Sequence, residues 1–183
     1  MNYRPLARLI HEAGQLKKNP RSGWLSIGIK NPESIADHSW RTALVGFLLA
    51  RMEKVDANRV LELCVFHDLH ETRISDLNYV SARYVKADTM RAAKDQLAGV
   101  FCAKEIESLT KELLSCKTRE AIVAKDADLL EMIAQAKDYM ESGNIYAKDW
   151  IRTAKARLKT KSAKKLAAEL EKASSNEFWL ELK

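Results

Sequence analysis

Apolar residues recur at i, i+3, i+4 and i+7 along most of the chain, the one-sided stripe of a packed helix. Leu6, Leu9, Ile10 and Ala13 predict a first helix over 3–16. A second begins at Ser34, where Pro32-Glu33-Ser34 supplies a start and Asp37, three residues on, approximates a capping box. Its apolar positions are Trp40, Ala43, Leu44, Phe47, Leu48 and Met52. A third starts at Asp56-Ala57-Asn58, turns Val60, Leu61, Cys64 and Val65 inward, and delivers His67 and Asp68 at its end.

The same period continues from Asp88 through Met90, Ala93, Leu97 and Val100 to Phe101, and over 103–114 with Ile106, Leu109, Leu113 and Leu114. Lys117-Thr118-Arg119-Glu120 opens a long helix over 121–141, in which Ala127 and Ala136 permit close packing. Stretches 146–158 and 162–173 read as two more, and Phe178-Trp179-Leu180 forms an apolar tail that requires burial against the core or a second subunit. Two stretches break the pattern. Residues 17–33 carry the turn signals Asn19-Pro20 and Asn31-Pro32, with an alternation at Leu25, Ile27 and Ile29 that suggests a short extended piece. Residues 72–87 carry the polar run Ser75-Asp76-Leu77-Asn78-Tyr79.

Composition agrees with an all-α bundle. Only 6 Gly and 3 Pro interrupt 183 residues, too few for the many turns of a sheet. The length suits one domain over 1–183, with a core at about 6–140 and C-terminal helices at 146–183 packed on it. No uncharged apolar run reaches the roughly 18 residues of a membrane span, and the start of the chain does not read as a signal peptide. The three cysteines, Cys64, Cys102 and Cys116, are odd in number and lack CxxC spacing, which suits reduced thiols in a cytoplasmic protein. Net charge is +6, with Lys155, Arg157, Lys159, Lys161 and Lys164 concentrated late. A solvated helix face explains that run, with attraction of phosphorylated substrates a weaker reading. Exposed aromatics interleaved with the charge, which nucleic-acid binding requires, are not evident, so no stable nucleic-acid complex is expected.

The candidate chemistry lies in Cys64-Val65-Phe66-His67-Asp68-Leu69-His70-Glu71. Neighbouring helix residues point about 100° apart, so His67 and Asp68 share one ion only near a helix terminus. Glu71 follows Asp68 by three residues and faces the same pocket; His70 is available to line it. His38 lies in the first turn of the second helix, on its inward face, where an imidazole taken alone reads as a hydrogen-bonded core residue. His11 reads as structural or exposed. The long helix holds two carboxylates, Asp126 and Asp128, between which periodicity does not choose. In the early loop, Arg21 suits a phosphate and Trp24 a base, against the plainer readings of a surface guanidinium and a core plug. Two imidazoles and two carboxylates suit a divalent cation.

The ordered set His…His-Asp…Asp on helices resembles the HD-domain metal-dependent phosphohydrolases. The segments Pro20-Arg21-Ser22-Gly23-Trp24, Pro32-Glu33-Ser34-Ile35-Ala36-Asp37-His38, His67-Asp68-Leu69-His70-Glu71, Ser75-Asp76 and Lys125-Asp126-Ala127-Asp128-Leu129-Leu130-Glu131 resemble the branch of the bacterial 5′-deoxynucleotidases and their archaeal and eukaryotic relatives. The likeness covers about residues 6–139. It implies His38, His67, Asp68 and Asp128 as metal ligands, Glu71 and Asp76 as catalytic acids or bases, and Arg21 with Trp24 as substrate-binding residues. His70 departs from the small residue common at its position.

The resemblance implies hydrolysis of a (deoxy)nucleoside 5′-monophosphate to nucleoside and phosphate by an enzyme with one divalent ion, drawn from Co, Mn, Zn, Ni, Fe and Mg. It also implies a homodimer. The alternatives are a phosphodiesterase of the same superfamily acting on cyclic or oligonucleotide substrates, and a non-catalytic nucleotide-binding protein.

Overall fold

The computed structural model describes residues 2–183. The protein is all-α: no strand occurs among the described residues, and the nearest approach to one is an isolated antiparallel bridge between Pro20 and Ser34. The helices are α1 (Arg4–Ala13), α2 (Ser22–Leu25), α3 (Ile35–Glu53), α4 (Ala57–Phe66), α5 (Glu71–Ile74), α6 (Thr89–Gln96), α7 (Ala103–Ser115), α8 (Arg119–Glu141), α9 (Ala147–Arg157), α10 (Lys161–Lys172) and α11 (Glu177–Leu180). Short 3₁₀ turns follow α1 at Gly14–Lys17 and precede α6 at Ser81–Arg83.

The chain divides into two compact units. One holds residues up to Trp40 together with Val65–Cys116; the other holds Arg41–Cys64 and Lys117–Lys183. In the first, α6 packs on α7, and α5 packs on both α6 and the 3₁₀ turn after α1. Its apolar interior includes Leu16, Trp24, Ile35, Leu97, Ile106, Leu109 and Leu113. The second is built on α8, against which α9 and α10 both pack. The small residues Ala124, Ala127 and Ala136 on α8, and Ala147, Ala154, Ala163 and Ala167 on the later helices, are all nearly fully buried. Alanine keeps helix propensity high and lets helix axes approach closely. Gly46 of α3 serves the same end: a Cβ there would stand 2.5 Å from Cys64 Sγ and 3.2 Å from Val60 Cγ1.

The helix starts obey their local chemistry. Ser34 and Asp37 form the reciprocal box, the Asp37 N–H donating to Ser34 Oγ at 3.1 Å and the Ser34 N–H to Asp37 Oδ2 at 2.9 Å. Asp88, Thr118 and Thr160 each cap the next helix by accepting a backbone N–H three residues on.

Several expectations need correction. The first helix stops at Ala13, and Ile10 of its stripe is 72% exposed. Residues 25–29 form no extended piece; α2 and a turn through Gly28, at φ +83°, replace it. The helix from Asp88 ends at Gln96, where Gly99 at φ +81° turns the chain and leaves Phe101 exposed. On α3 the buried face is Ile35, His38, Thr42, Ala43, Leu49 and Ala50, while Trp40, Leu44, Leu48 and Met52 form an exposed ladder with i, i+4 spacing. A helix that is apolar nearly all round gives no periodic cue to which face turns inward. The tail is not buried either: Phe178 is 75% and Leu182 84% exposed.

Candidate metal centre and active site

Three features of the first unit assemble the centre. The capping box starts α3 so that His38 falls in its first turn, fully buried. Helix α4 ends at Phe66, and the two residues past its end are His67 and Asp68. There the backbone leaves helical spacing, so two side chains that diverge on a helix converge here. His38 Nε2 and His67 Nε2 are 3.1 Å apart, with the rings tilted 52° to each other. Asp68 Oδ2 lies 3.0 Å from His67 Nε2 and 3.6 Å from His38 Nε2.

Burial pushes the Asp68 carboxyl up, but His67, His38 and Arg21 beside it outweigh burial and hold it well below the usual carboxylate range. It is therefore ionised at neutral pH. Glu71 goes the other way. Burial, reinforced by the charges of Asp68 and Asp76, raises it to about 9 against the pull of Arg21 and His38. Its Oε2 is buried with no hydrogen-bond partner among the described residues. Two nearby carboxyls with opposed protonation are the arrangement from which acid and base roles are divided.

The early loop closes over this doublet. Its base is pinned by two backbone bonds, Arg21 N–H to the Glu33 carbonyl and Ile35 N–H to the Asn19 carbonyl, both 3.0 Å. Arg21 reaches across with its guanidinium 3.6 Å from Asp68 Oδ2 and 3.9 Å from Asp76 Oδ1. Asp76 in turn accepts the Ser22 N–H at 2.7 Å, and its carbonyl accepts the Ser22 hydroxyl at 2.7 Å. Ser75, at φ +62°, bends the chain to bring Asp76 there, a conformation that costs a non-glycine residue roughly 1–3 kcal/mol.

Five of the residues singled out from sequence in this unit thus meet: Arg21, His38, His67, Asp68 and Asp76, with Glu71 close enough to feel the charges of Asp68 and Asp76. Trp24 does not offer a stacking face. It is 2% exposed and donates its Nε1–H to Glu33 Oε1 at 2.9 Å, so it plugs the loop from inside and holds the segment that carries Arg21. His70 stands at the start of α5, half-buried. Partners to which sequence reasoning gave no role are Ser22, the first residue of the one-turn α2, and Asn19 and Glu33 in the flanking loops, where no periodicity announces them.

Asp126 and Asp128 belong to the second unit, on α8. Asp126 is 1% exposed and accepts the backbone N–H groups of Lys159 and Thr160 at 2.9 and 2.7 Å. It is committed to tying the start of α10 to α8. Asp128 is half-buried, with Lys125 Nζ 3.9 Å from its Oδ2.

The donors around His38 fit a divalent metal. Two nitrogen ligands about 2.0–2.1 Å from one ion, at tetrahedral or octahedral angles, stand about 2.9–3.4 Å apart. The observed 3.1 Å lies in that span. A carboxylate oxygen close to both nitrogens supplies negative charge, and the buried Oε2 of Glu71 is placed for a polar group that the described residues do not provide.

Comparison with known proteins agrees. The HD domain model matches residues 13–172. The chain is 32% identical over 139 residues to the 5′-deoxynucleotidase HDDC2 of Dictyostelium discoideum, covering 69% of this chain and 73% of that one. It is 34% identical over 139 residues to the 5′-deoxynucleotidase hdd1 of Schizosaccharomyces pombe, covering 71% and 70%. A solved structure from Pyrococcus horikoshii is similar at a TM-score of 0.75 and 32% identity, covering 90% of this chain and 97% of that one. The matched stretch takes in the histidine of α3, the doublet past α4 and the carboxylates of α8, and the chain belongs to the HD-domain family.

Proposed function

We propose that this protein is a metal-dependent phosphomonoesterase that hydrolyses (deoxy)nucleoside 5′-monophosphates to nucleoside and phosphate. The observation that supports it most is the convergence of His38, His67 and one oxygen of Asp68 on a single point, with the Arg21 guanidinium 3.6 Å from that oxygen. The names carried by the relatives point to the same substrate class.

In this reading His38, His67 and Asp68 hold the ion, and Asp128 is the fourth ligand, as its place in the family pattern implies. A divalent ion bound there supplies positive charge to a phosphoryl oxygen and acidifies water. Manganese and cobalt are the first ions to try, because mixed imidazole and carboxylate donors suit both. Arg21 is drawn from Asp68 and Asp76 onto the non-bridging phosphate oxygens, where its fork matches two acceptors. Water attacks phosphorus in line with the departing 5′-oxygen, forming one P–O bond as the other breaks. Glu71 gives its proton to that 5′-oxygen, so the nucleoside leaves as an alcohol, and the proton shed by the attacking water as it becomes a phosphate hydroxyl restores Glu71. Asp76 holds the loop through Ser22, and its charge opposes the pull of Arg21 on the Glu71 proton. Trp24 maintains the loop beneath Arg21.

The chain acts in this reading as one HD domain. A homodimer in the cytoplasm is the working assembly, supported by the exposed ladder Trp40, Leu44, Leu48 and Met52, which a second copy would cover. Among the described residues no helix is long and apolar enough to cross a membrane.

The test is phosphate release from dAMP, dTMP and AMP with Co²⁺ or Mn²⁺ added, beside a bis-ester and a cyclic nucleotide. Release from the monophosphates alone is expected. Turnover of the diesters without the monoesters would select a phosphodiesterase, and no turnover would remove the enzymatic reading.

A further inference from the structure

Gln96 closes α6 and is only 1% exposed. A buried carboxamide is costly unless its hydrogens find acceptors. Its Nε2 donates to the Leu69 carbonyl at 3.1 Å and to the Thr72 hydroxyl at 2.8 Å. Those acceptors bracket Glu71, and Leu69 is the residue directly after Asp68.

The turn is held from other sides as well. Thr72 Oγ1 lies 3.2 Å from the Leu69 carbonyl and 3.2 Å from Glu12 Oε1. Its single proton serves one of these while its lone pairs accept from Gln96. Arg73 grips the same Glu12 through both carboxylate oxygens, at 2.5 and 3.0 Å. Asn19 Nδ2 donates to the Glu71 carbonyl at 3.4 Å. Helix α1, the early loop and α6 therefore all attach to one short turn, and that turn sets the distance between Asp68 and Glu71.

We propose that Gln96, acting through Thr72 and the Leu69 carbonyl, is a positioning residue that fixes the Glu71 carboxyl against Asp68 and the substrate's leaving oxygen. The inference rests on the reading of Glu71 as the proton donor. Gln96 touches no reacting atom. Its effect is geometric, and misplacement of a catalytic group by about 1 Å costs up to roughly 100-fold in rate.

The experiment measures kcat and KM for monophosphate hydrolysis at saturating metal. It compares wild type, Gln96→Leu and Thr72→Val, each also placed in a Glu71→Gln background, with thermal melting to show that each variant is folded. Each single change is expected to lower kcat by about tenfold or more while KM moves by less than about threefold. In the Glu71→Gln background the same change is expected to add less than about a twofold loss, because residues acting through one another are not additive. Equal losses in both backgrounds, or kcat within about twofold of wild type in folded single variants, would overturn the proposal while leaving the function standing. If Gln96→Leu does not fold, Thr72→Val decides by the same criteria. An inactive wild type would overturn the functional reading and this inference with it.

Discussion

His38 Nε2 and His67 Nε2 stand 3.1 Å apart, and a single oxygen of Asp68 lies within 3.6 Å of both. Three donors from two distant stretches of chain crowd one point. Asp68→Ala removes the only negative donor among those three. Metal affinity is expected to fall by at least about tenfold and monophosphate turnover to disappear, while the far-ultraviolet helical signal stays near wild type. Metal titration followed by circular dichroism checks both halves of that expectation.

Glu71 makes the metal-free protein sensitive to alkali. Its folded value is about 9, against 4.5 for an ordinary glutamate. Below pH 4.5 both folded and unfolded chains hold the proton. Between 4.5 and 9 only the folded chain holds it, so stability falls as pH rises through that window. Above it both are ionised and the loss is complete. Melting of the chelator-treated protein is expected to drop by about 5 °C or more between about pH 5 and pH 9. Glu71→Gln, which cannot ionise, flattens that slope, and added Mn²⁺ reduces it by placing positive charge beside the carboxyl. An unchanged slope in Glu71→Gln would assign the effect elsewhere.

Asp126 and Asp128 sit two residues apart, and the proposed function gives them different tasks. Asp126→Ala strips the acceptor from two backbone N–H groups at the start of α10 and is expected to cost about 2–3 kcal/mol, with metal affinity little changed. Asp128→Ala is expected to do the reverse, leaving the denaturation midpoint nearly in place and weakening the metal. Urea unfolding and metal titration on both variants provide the comparison.

Residues that carry a local signal were the legible ones. The Ser34–Asp37 box and the HD doublet are short-range patterns, and the structure places both as the spacing requires. The choice of buried face on α3 was not legible, because Trp40, Leu44 and Leu48 are as apolar as the residues on the opposite side. Trp24 stayed open between two readings for a related reason: a tryptophan beside an arginine in a loop reads alike whether its ring faces ligand or interior. Its bond to Glu33 is visible only in three dimensions. Gln96 and Thr72 left no trace at all, since their pairing joins positions 24 residues apart across a stretch with no pattern linking them.

Gly46 is required by close approach. Gly46→Ala places a methyl 2.5 Å from Cys64 Sγ and 3.2 Å from Val60 in a packed interior. Despite alanine's better helix propensity, destabilisation of about 1–3 kcal/mol is expected, measured as a lower urea midpoint. A stabilised variant would show that α3 and α4 yield at this point.

A metal held by His38, His67 and Asp68 is what would make this chain a monoesterase. The most direct measurement of that is phosphate release from dAMP by chelator-treated protein as Mn²⁺ or Co²⁺ is titrated back, run in parallel on wild type and Asp68→Ala. The expected result is no release without metal, release that saturates near one ion per chain in wild type, and none from Asp68→Ala at any point of the titration. Metal-independent release, or equal release from Asp68→Ala, would contradict it.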